Sequence, residues 1–317
     1  MTTIADVGNV RSVKRDTRRA KQLNVSQFSR WCRLRKNNFW ISSALGCSGM
    51  TSALERHGVN HLSASSINLA RASLSLWMLQ YLHKIRGPAS LHMFRGIAGE
   101  DGVAAALANP DMEIEEAIAI SESVLKSNTS GGKITGSKFD PDEVEKTRQL
   151  LAGYSTSRME YPGVVRNAVE ALRPYGKPSS AQERIEVMLE GVPVPITGFK
   201  DFSYDDHGVD VDLKCPAKLP SYMAADHRLQ GSIYWAASGN RAQRFCYATA
   251  KEAQILELDA DTCRTALRTA AGIAQTLERF LSISNDPAEL AALVIPDYSG
   301  FRWSEPQIEE AQKIFGF

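Results

Sequence analysis

The segment Val209-Asp210-Val211-Asp212-Leu213-Lys214 alternates apolar and charged residues. In a strand this alternation sends Val209, Val211 and Leu213 to one face and Asp210, Asp212 and Lys214 to the other. A carboxylate two residues before a lysine then sets an anionic metal ligand beside an ammonium. Phosphodiester hydrolysis uses both groups. A divalent cation neutralises phosphate oxygens and acidifies bound water, and a lysine orients that water and stabilises developing charge. Taken alone, the same six residues are also the ordinary look of an amphipathic strand. The preceding strand adds context, because it ends Thr197-Gly198-Phe199-Lys200-Asp201-Phe202. A hairpin between Asp201 and Asp212 brings the two carboxylates together at one end of a sheet, with Gly198 allowing close approach there. Magnesium takes oxygen ligands from one or two carboxylates plus waters and phosphate oxygens, a requirement that Asp201 and Asp212 fit.

The elements that must hold these residues are legible from periodicity. Ile185 to Leu189, Val192 to Phe202 and Gly208 to Cys215 alternate as strands. Glu190-Gly191 and Asp205-Asp206-His207-Gly208 supply the turns between them. A helix over about Tyr222 to Ser238 follows, then a strand from Arg244 to Thr249 and a long helix from Asp261 to Leu281. Upstream, the spacing predicts one helix over Leu62 to Ile85, a second over His92 to Leu107, and shorter helices over 112–126, 142–151 and 161–172, with a loop at 127–137. The expected fold class is α/β: a mixed central sheet flanked by helices, carrying a helical insertion at about 111–182.

The whole chain, 317 residues with a formal net charge of +1, gives no global electrostatic clue to a partner. The charge is locally uneven, however. Ten basic residues from Arg11 to Lys36 face a single acid, Asp16. Residues 1–40 therefore read as a flexible basic tail, with a short helix at 25–35. Three roles stay open for it: binding nucleic acid through phosphates, serving as a partner-binding arm, or being merely solvated. The five cysteines, Cys32, Cys47, Cys215, Cys246 and Cys263, contain no C-x-x-C pair, which speaks against a disulfide framework or zinc knuckle. No apolar run reaches the roughly 20 residues of a membrane-spanning helix, and the N-terminus lacks a signal-peptide core. The expectation is a soluble, cytoplasmic protein. No G-x-x-x-x-G-K-[ST] loop suggests an ATP-driven motor, and the six histidines form no H-E-x-x-H site.

The order Gly198-x-x-Asp201, Asp212-x-Lys214, Gln230-x-x-x-Tyr234 resembles the motif series of the RecB-like branch of the PD-(D/E)XK nuclease superfamily. The upstream Arg95-Gly96-Ile97-Ala98-Gly99-Glu100 is similar to that branch's acid-bearing helix, with Glu100 in the acid's place. The chain looks most like phage-type exonucleases: Ser63-Ala64-Ser65-Ser66-Ile67-Asn68-Leu69, Trp77 and the C-terminal segment from Pro296 to Ser304 add to the likeness. It spans roughly 60–108 and 184–317, is weak in the helical insertion and is absent from the basic tail. The resemblance implies a restriction-endonuclease-like core over 41–317. It implies magnesium or manganese held by Asp201 and Asp212, with the Leu213 carbonyl as a further ligand, and Glu100 reaching the same ion or a second one. Lys214 would position the attacking water, and Gln230 and Tyr234, one helical turn apart, would face the site and contact DNA. His227, three residues before Gln230, would share that face and touch DNA.

Two positions depart from the pattern. Cys215 stands where threonine is common, and Lys200 precedes Asp201 where a small or apolar residue is usual. Lys200 is expected either to contact phosphate or to face solvent. The four-cysteine iron–sulfur cluster of some relatives is not expected, since only Cys246 and Cys263 lie in the C-terminal region. The functional expectation is a metal-dependent DNA exonuclease leaving 5′-phosphates in phage or bacterial recombination, repair or genome processing. Its partners would be DNA, a strand-annealing or single-strand-binding protein, and further copies of itself in a ring. An endonuclease on the same scaffold, or a DNA-binding or assembly protein that has lost cleavage, are the rival readings.

Overall fold

A computed structural model describes residues 51–87, 91–129 and 160–316. The predicted tail at 1–40, the helices at 25–35 and 142–151, and most of the loop at 127–137 lie outside these residues.

The chain enters through α1 (Ala53–Arg56), α2 (Ala64–Ala72) and α3 (Leu74–Tyr81). The single helix expected over 62–85 is therefore two. Ser73 is extended, at φ −159° and ψ 103°, and its hydroxyl accepts the Leu76 N–H as the N-cap of α3. A residue with strong capping chemistry in mid-pattern lets the backbone turn without losing a hydrogen bond. Next come α4 (Leu91–Ala108), α5 (Ile114–Thr129) and α6 (160–172). Strands β1 (Ser180–Val187), β2 (Ile196–Tyr204) and β3 (Val209–Lys214) follow, then α7 (Ala225–Ala237), β4 (Ala242–Ala248), β5 (Ala253–Leu258), α8 (Ala260–Leu281), α9 (Pro287–Ala291) and α10 (Glu305–Phe315).

The five strands form one mixed sheet in the order β1-β2-β3-β4-β5. Only the β3–β4 pair is parallel; the others are antiparallel. The fold is thus α/β, with α7 crossing between the parallel pair and helices on both faces. Two features differ from expectation. β1 begins at Ser180, inside the stretch read as helical insertion. β5 was not anticipated at all, because the hairpin before it carries no Gly or Asn. Instead the Thr249 hydroxyl accepts the N–H groups of Lys251 and Glu252, a side-chain turn with a weak sequence signature.

On one face the sheet buries Val209, Val211, Leu213, Phe202 and Tyr204 against α4, α5 and α6. The other face packs on a larger core of α2, α3, α7, α8 and the C-terminal helices, with Trp77 fully buried. Both sides of β3 are consequently enclosed. Asp210 is 2% and Asp212 5% exposed, so the half-exposed charged face of a solvated strand is not what forms. Among the described residues, no helix is long and apolar enough to cross a membrane.

Candidate active site

The two buried aspartates of β3 have different surroundings. Asp210 is fully compensated: Lys200 Nζ lies 3.3 Å from Oδ1, Gln243 Nε2 donates to Oδ2 at 3.1 Å, and Arg241 Nε lies 3.5 Å away. Lys200 is 6% exposed and also bridges Glu183 at 3.3 Å. It neither faces solvent nor stands free to meet a phosphate, which corrects the expectation for it. The cluster ties β1, β2 and β3 together by charge, and β4 through the Gln243 hydrogen bond. Removing one partner of such a buried set leaves the other uncompensated, so Asp210→Ala should destabilise the fold by about 3 kcal/mol. Urea unfolding checks this; an unchanged midpoint would show that the Lys200 ammonium finds equal solvation elsewhere.

Asp212, by contrast, belongs to an acidic cluster formed where two strands part. The β2–β3 ladder runs from Tyr204↔Val209 to Phe202↔Val211 and stops there. The next inward N–H of β3, that of Leu213, goes instead to the Asp201 carboxylate, Oδ2 at 2.7 Å. Asp201 is also the position where β1 and β2 lose their pairing: the flanking pairs Ala181↔Phe202 and Glu183↔Lys200 form, and Gln182 opposite it is turned to φ +52°. Gln182 Nε2 donates to Asp201 Oδ1 at 3.3 Å. Side-chain alternation along β2 shifts at this point. Ile196 packs in the core on the α7 side, whereas Phe202 and Tyr204 pack on the α4 side. The interruption therefore aims Asp201 into the opening between β2 and β3.

Side chains from α4, β3 and α7 close on that opening. Helix α4 brings Glu100, whose side chain hydrogen-bonds Asp201. Its position is fixed by the Tyr161 hydroxyl, which donates to the Arg95 carbonyl, and by the Arg95–Glu160 ion pair at 2.9 Å. Gly99 lets the helix approach the end of β3, since a Cβ there would stand 2.8 Å from Cys215 Sγ. β3 brings Lys214, with Nζ 2.5 Å from Asp212 Oδ1. α7 brings Gln230, whose Nε2 donates to Asp212 Oδ2 at 2.7 Å and lies 3.2 Å from Tyr234 Oη. Tyr234 in turn occupies the space over Gly198, where a Cβ would stand 2.8 Å from its ring.

Glu100, Asp201, Asp212, Lys214, Gln230 and Tyr234 are thus neighbours, drawn from four elements. His227 is placed differently from the rest. Its Nδ1 lies 2.8 Å from Tyr247 Oη and its ring stacks on Phe245 at an interplanar angle of 14°. Burial, then the nearby Lys214, lower its pKa. Leu213 enters the site through its N–H. Sequence reasoning missed Gln182, which no pattern marks, and Tyr247, whose place follows from its parallel pairing with Lys214.

Electrostatics divide the cluster. Burial raises the Glu100 carboxyl to about 7, with the Asp212 charge adding to the effect and the Asp201 hydrogen bond opposing it. Burial, then Asp212 and Glu100, hold Asp201 well above the usual carboxylate range. Burial opposes the Lys214 charge, but Asp212 and Asp201 outweigh it and raise its pKa. Lys214 is therefore a fixed cation and no general base. Burial pushes the Cys215 thiol up to about 12, so it is inert.

The Glu100 shift has a signed consequence for stability. The unfolded chain releases this proton near the ordinary value of 4.5, while the folded chain keeps it to about 7. The contribution is thus intact below about 4.5 and lost as pH rises towards 7, amounting to about 3 kcal/mol at most. In EDTA, the stability of wild type relative to Glu100→Gln should fall between pH 4.5 and 7.5, then level off. Melting curves at several pH values check this; a constant difference would remove the buried acid from the account.

With Glu100 and Asp201 both ionised, three carboxylates and one ammonium leave two net negative charges, a match for a divalent cation. Glu100 Oε1 is buried without a hydrogen-bond partner, the kind of orphaned oxygen a cation would satisfy. Among the described residues, no three His, Cys, Asp or Glu side chains form a ready-made metal cage. Magnesium does not require one, because it retains waters and borrows substrate oxygens. The residues present fit such an ion.

No family model and no curated protein matches the chain. A solved structure titled "Crystal structure of SSO0001" aligns over 57% of this chain and 84% of its own length, at 13% identity and a TM-score of 0.27.

Proposed function

We propose that the protein is a metal-dependent deoxyribonuclease with a restriction-endonuclease-like core of the PD-(D/E)XK type, acting as an exonuclease. One observation carries the reading: the gap between β2 and β3 gathers Asp201, Asp212 and Glu100 beside a permanently charged Lys214. An amphipathic strand without a task has no reason to bury such a set, since desolvated carboxylates repel one another and cost stability.

Magnesium or manganese would be held by Asp201 and Asp212, with Glu100 and the Leu213 carbonyl completing the set, and would supply phosphate charge neutralisation and a more acidic water. The chain's own residues do the rest. Lys214, protonated throughout the neutral range, donates hydrogen bonds to the attacking water and to the phosphate oxygen on which charge accumulates. Gln230 fixes the Asp212 carboxylate, and Tyr234, packed over Gly198, holds Gln230 in place. In-line attack on phosphorus breaks the bond to the 3′-oxygen and leaves a 5′-phosphate. His227 acts from behind, through Tyr247 and Phe245, on the shape of the strand end. Recombination, repair or genome processing in a phage or its bacterial host is the setting proposed, beside a single-strand-annealing or single-strand-binding protein and in a homo-oligomer.

Exonuclease and endonuclease share every residue named here, so the substrate must separate them. End-labelled linear duplex and closed circular DNA are incubated with magnesium. Loss of linear DNA alone supports the exonuclease; cutting of circles assigns an endonuclease. Cleavage of neither, with magnesium or manganese, overturns the reading.

A further inference from the structure

The Lys214 ammonium has two kinds of partner, one anionic and one aromatic. Asp212 Oδ1 stands 2.5 Å from its Nζ, and Nζ also lies over the Phe245 ring, 5.8 Å from the centroid. Strand register produces the second contact. In the parallel ladder Asp212 pairs with Phe245 and Lys214 with Tyr247, so these four side chains share the face of the sheet that α7 covers. Lys214 reaches diagonally from its own position to the ring.

The ring itself is held firmly. His227 of α7 stacks on Phe245, with centroids 5.6 Å apart and planes at 14°, and the Tyr247 ring stands 6.3 Å away at 26°. A hydrogen bond of 2.8 Å joins His227 Nδ1 and Tyr247 Oη. Gly231 lets α7 close on the pile, since a Cβ there would stand 2.8 Å from the Phe245 ring. Phe245 and Tyr247 are buried, and the Lys214 side chain is 26% exposed. An ammonium shielded from water is drawn to a ring face more strongly than one in solvent. Burial, then Lys214, hold His227 below the ordinary histidine range. At neutral pH an uncharged imidazole therefore backs the ring and brings no second cation to it.

Asp212 alone does not fix Lys214 through a reaction, because it is also a proposed metal ligand. A carboxylate engaged by a divalent cation attracts an ammonium less, and the cation repels it. The Phe245 ring carries no charge to share. We propose that Phe245 is a positioning residue: its ring face keeps the Lys214 ammonium aimed into the site when Asp212 is engaged elsewhere, and His227 and Tyr247 hold the ring in place. The inference rests on the nuclease reading and deepens it. Phe245 is too deeply buried to touch substrate and acts only through Lys214.

Phe245→Leu would remove the ring face but also disturb the packing around it. The test therefore places mono-, di- and trifluorophenylalanine at position 245 of the full chain. Fluorine is nearly as small as hydrogen, so the buried ring keeps its place while its face loses negative potential step by step. Turnover on linear DNA in magnesium should fall with each fluorine, by about tenfold across the series, with KM unchanged. The second readout needs no cleavage. In chains carrying carbon-13 lysine, in EDTA, the Lys214 ε-carbon signal (assigned by its loss in Lys214→Met) should report a side chain that grows more mobile as fluorines are added. A ring that only fills space predicts no dependence on fluorine in either readout. Turnover that stays flat, or that falls while Lys214 stays equally ordered, overturns the positioning role. The two readings fail separately. Wild type that degrades DNA at a rate indifferent to fluorine keeps the nuclease and loses the role of Phe245. Lys214 mobility that follows the fluorine series, in a chain that never cleaves, keeps the ring's hold on Lys214 and loses the nuclease.

Discussion

Replacing Asp212 with asparagine is expected to lower DNA hydrolysis by about 10³-fold or more while leaving the fold at least as stable. The two halves of this prediction come from one geometry. Asp212 is 5% exposed and is shared between Lys214 at 2.5 Å and Gln230 at 2.7 Å. Its charge also raises the carboxyls of Glu100 and Asp201. Asparagine keeps the shape and an oxygen for Gln230, but removes a charge that two half-buried carboxyls must otherwise oppose. Above pH 7 in EDTA the melting temperature should hold or rise. A site that costs stability and returns activity behaves in this way; a purely structural acid does the reverse. Activity within tenfold of wild type would show that Asp212 is not a ligand. A large loss of melting temperature would make it a counterpart of Asp210.

The second large effect is expected at Lys214. Lys214→Met should reduce turnover by about 10²- to 10³-fold. It should also leave magnesium affinity unchanged or tighter, because an ammonium 2.5 Å from a proposed ligand repels a cation bound there. Calorimetric titration with magnesium separates the two variants. Asp212→Asn should lose both binding and cleavage, and Lys214→Met only cleavage. Weaker metal binding in Lys214→Met would mean that the lysine organises the carboxylates and does not act on the substrate.

The α/β class and the strand–strand–helix frame of the site were legible because their signals are local. The two faces of β3 follow from alternation, the reversal at Asp205–Gly208 from turn chemistry, and the shared face of Gln230 and Tyr234 from helical spacing. The rest depended on tertiary contacts. That Asp210 is a structural acid and Asp212 a site acid cannot be read from Val-Asp-Val-Asp. The difference lies in Lys200 on β2, Gln243 on β4 and Arg241 just before β4, which all reach Asp210. The turned backbone at Gln182 and the early end of the β2–β3 ladder, which together aim Asp201, leave no pattern in the sequence either. The break at Ser73 was overlooked because the apolar stripe continues across it; the serine-rich Ser73-Leu74-Ser75 was the available clue. β5 escaped because its turn is built from a threonine side chain.

The most direct test of the central claim is the release of acid-soluble nucleotides from linear duplex DNA by the purified chain, in magnesium and in EDTA, with Asp212→Asn in parallel. The account predicts release by wild type in magnesium alone and none from the variant. Release in EDTA, or equal release by Asp212→Asn, would contradict it, because hydrolysis would then proceed without the acidic cluster between β2 and β3.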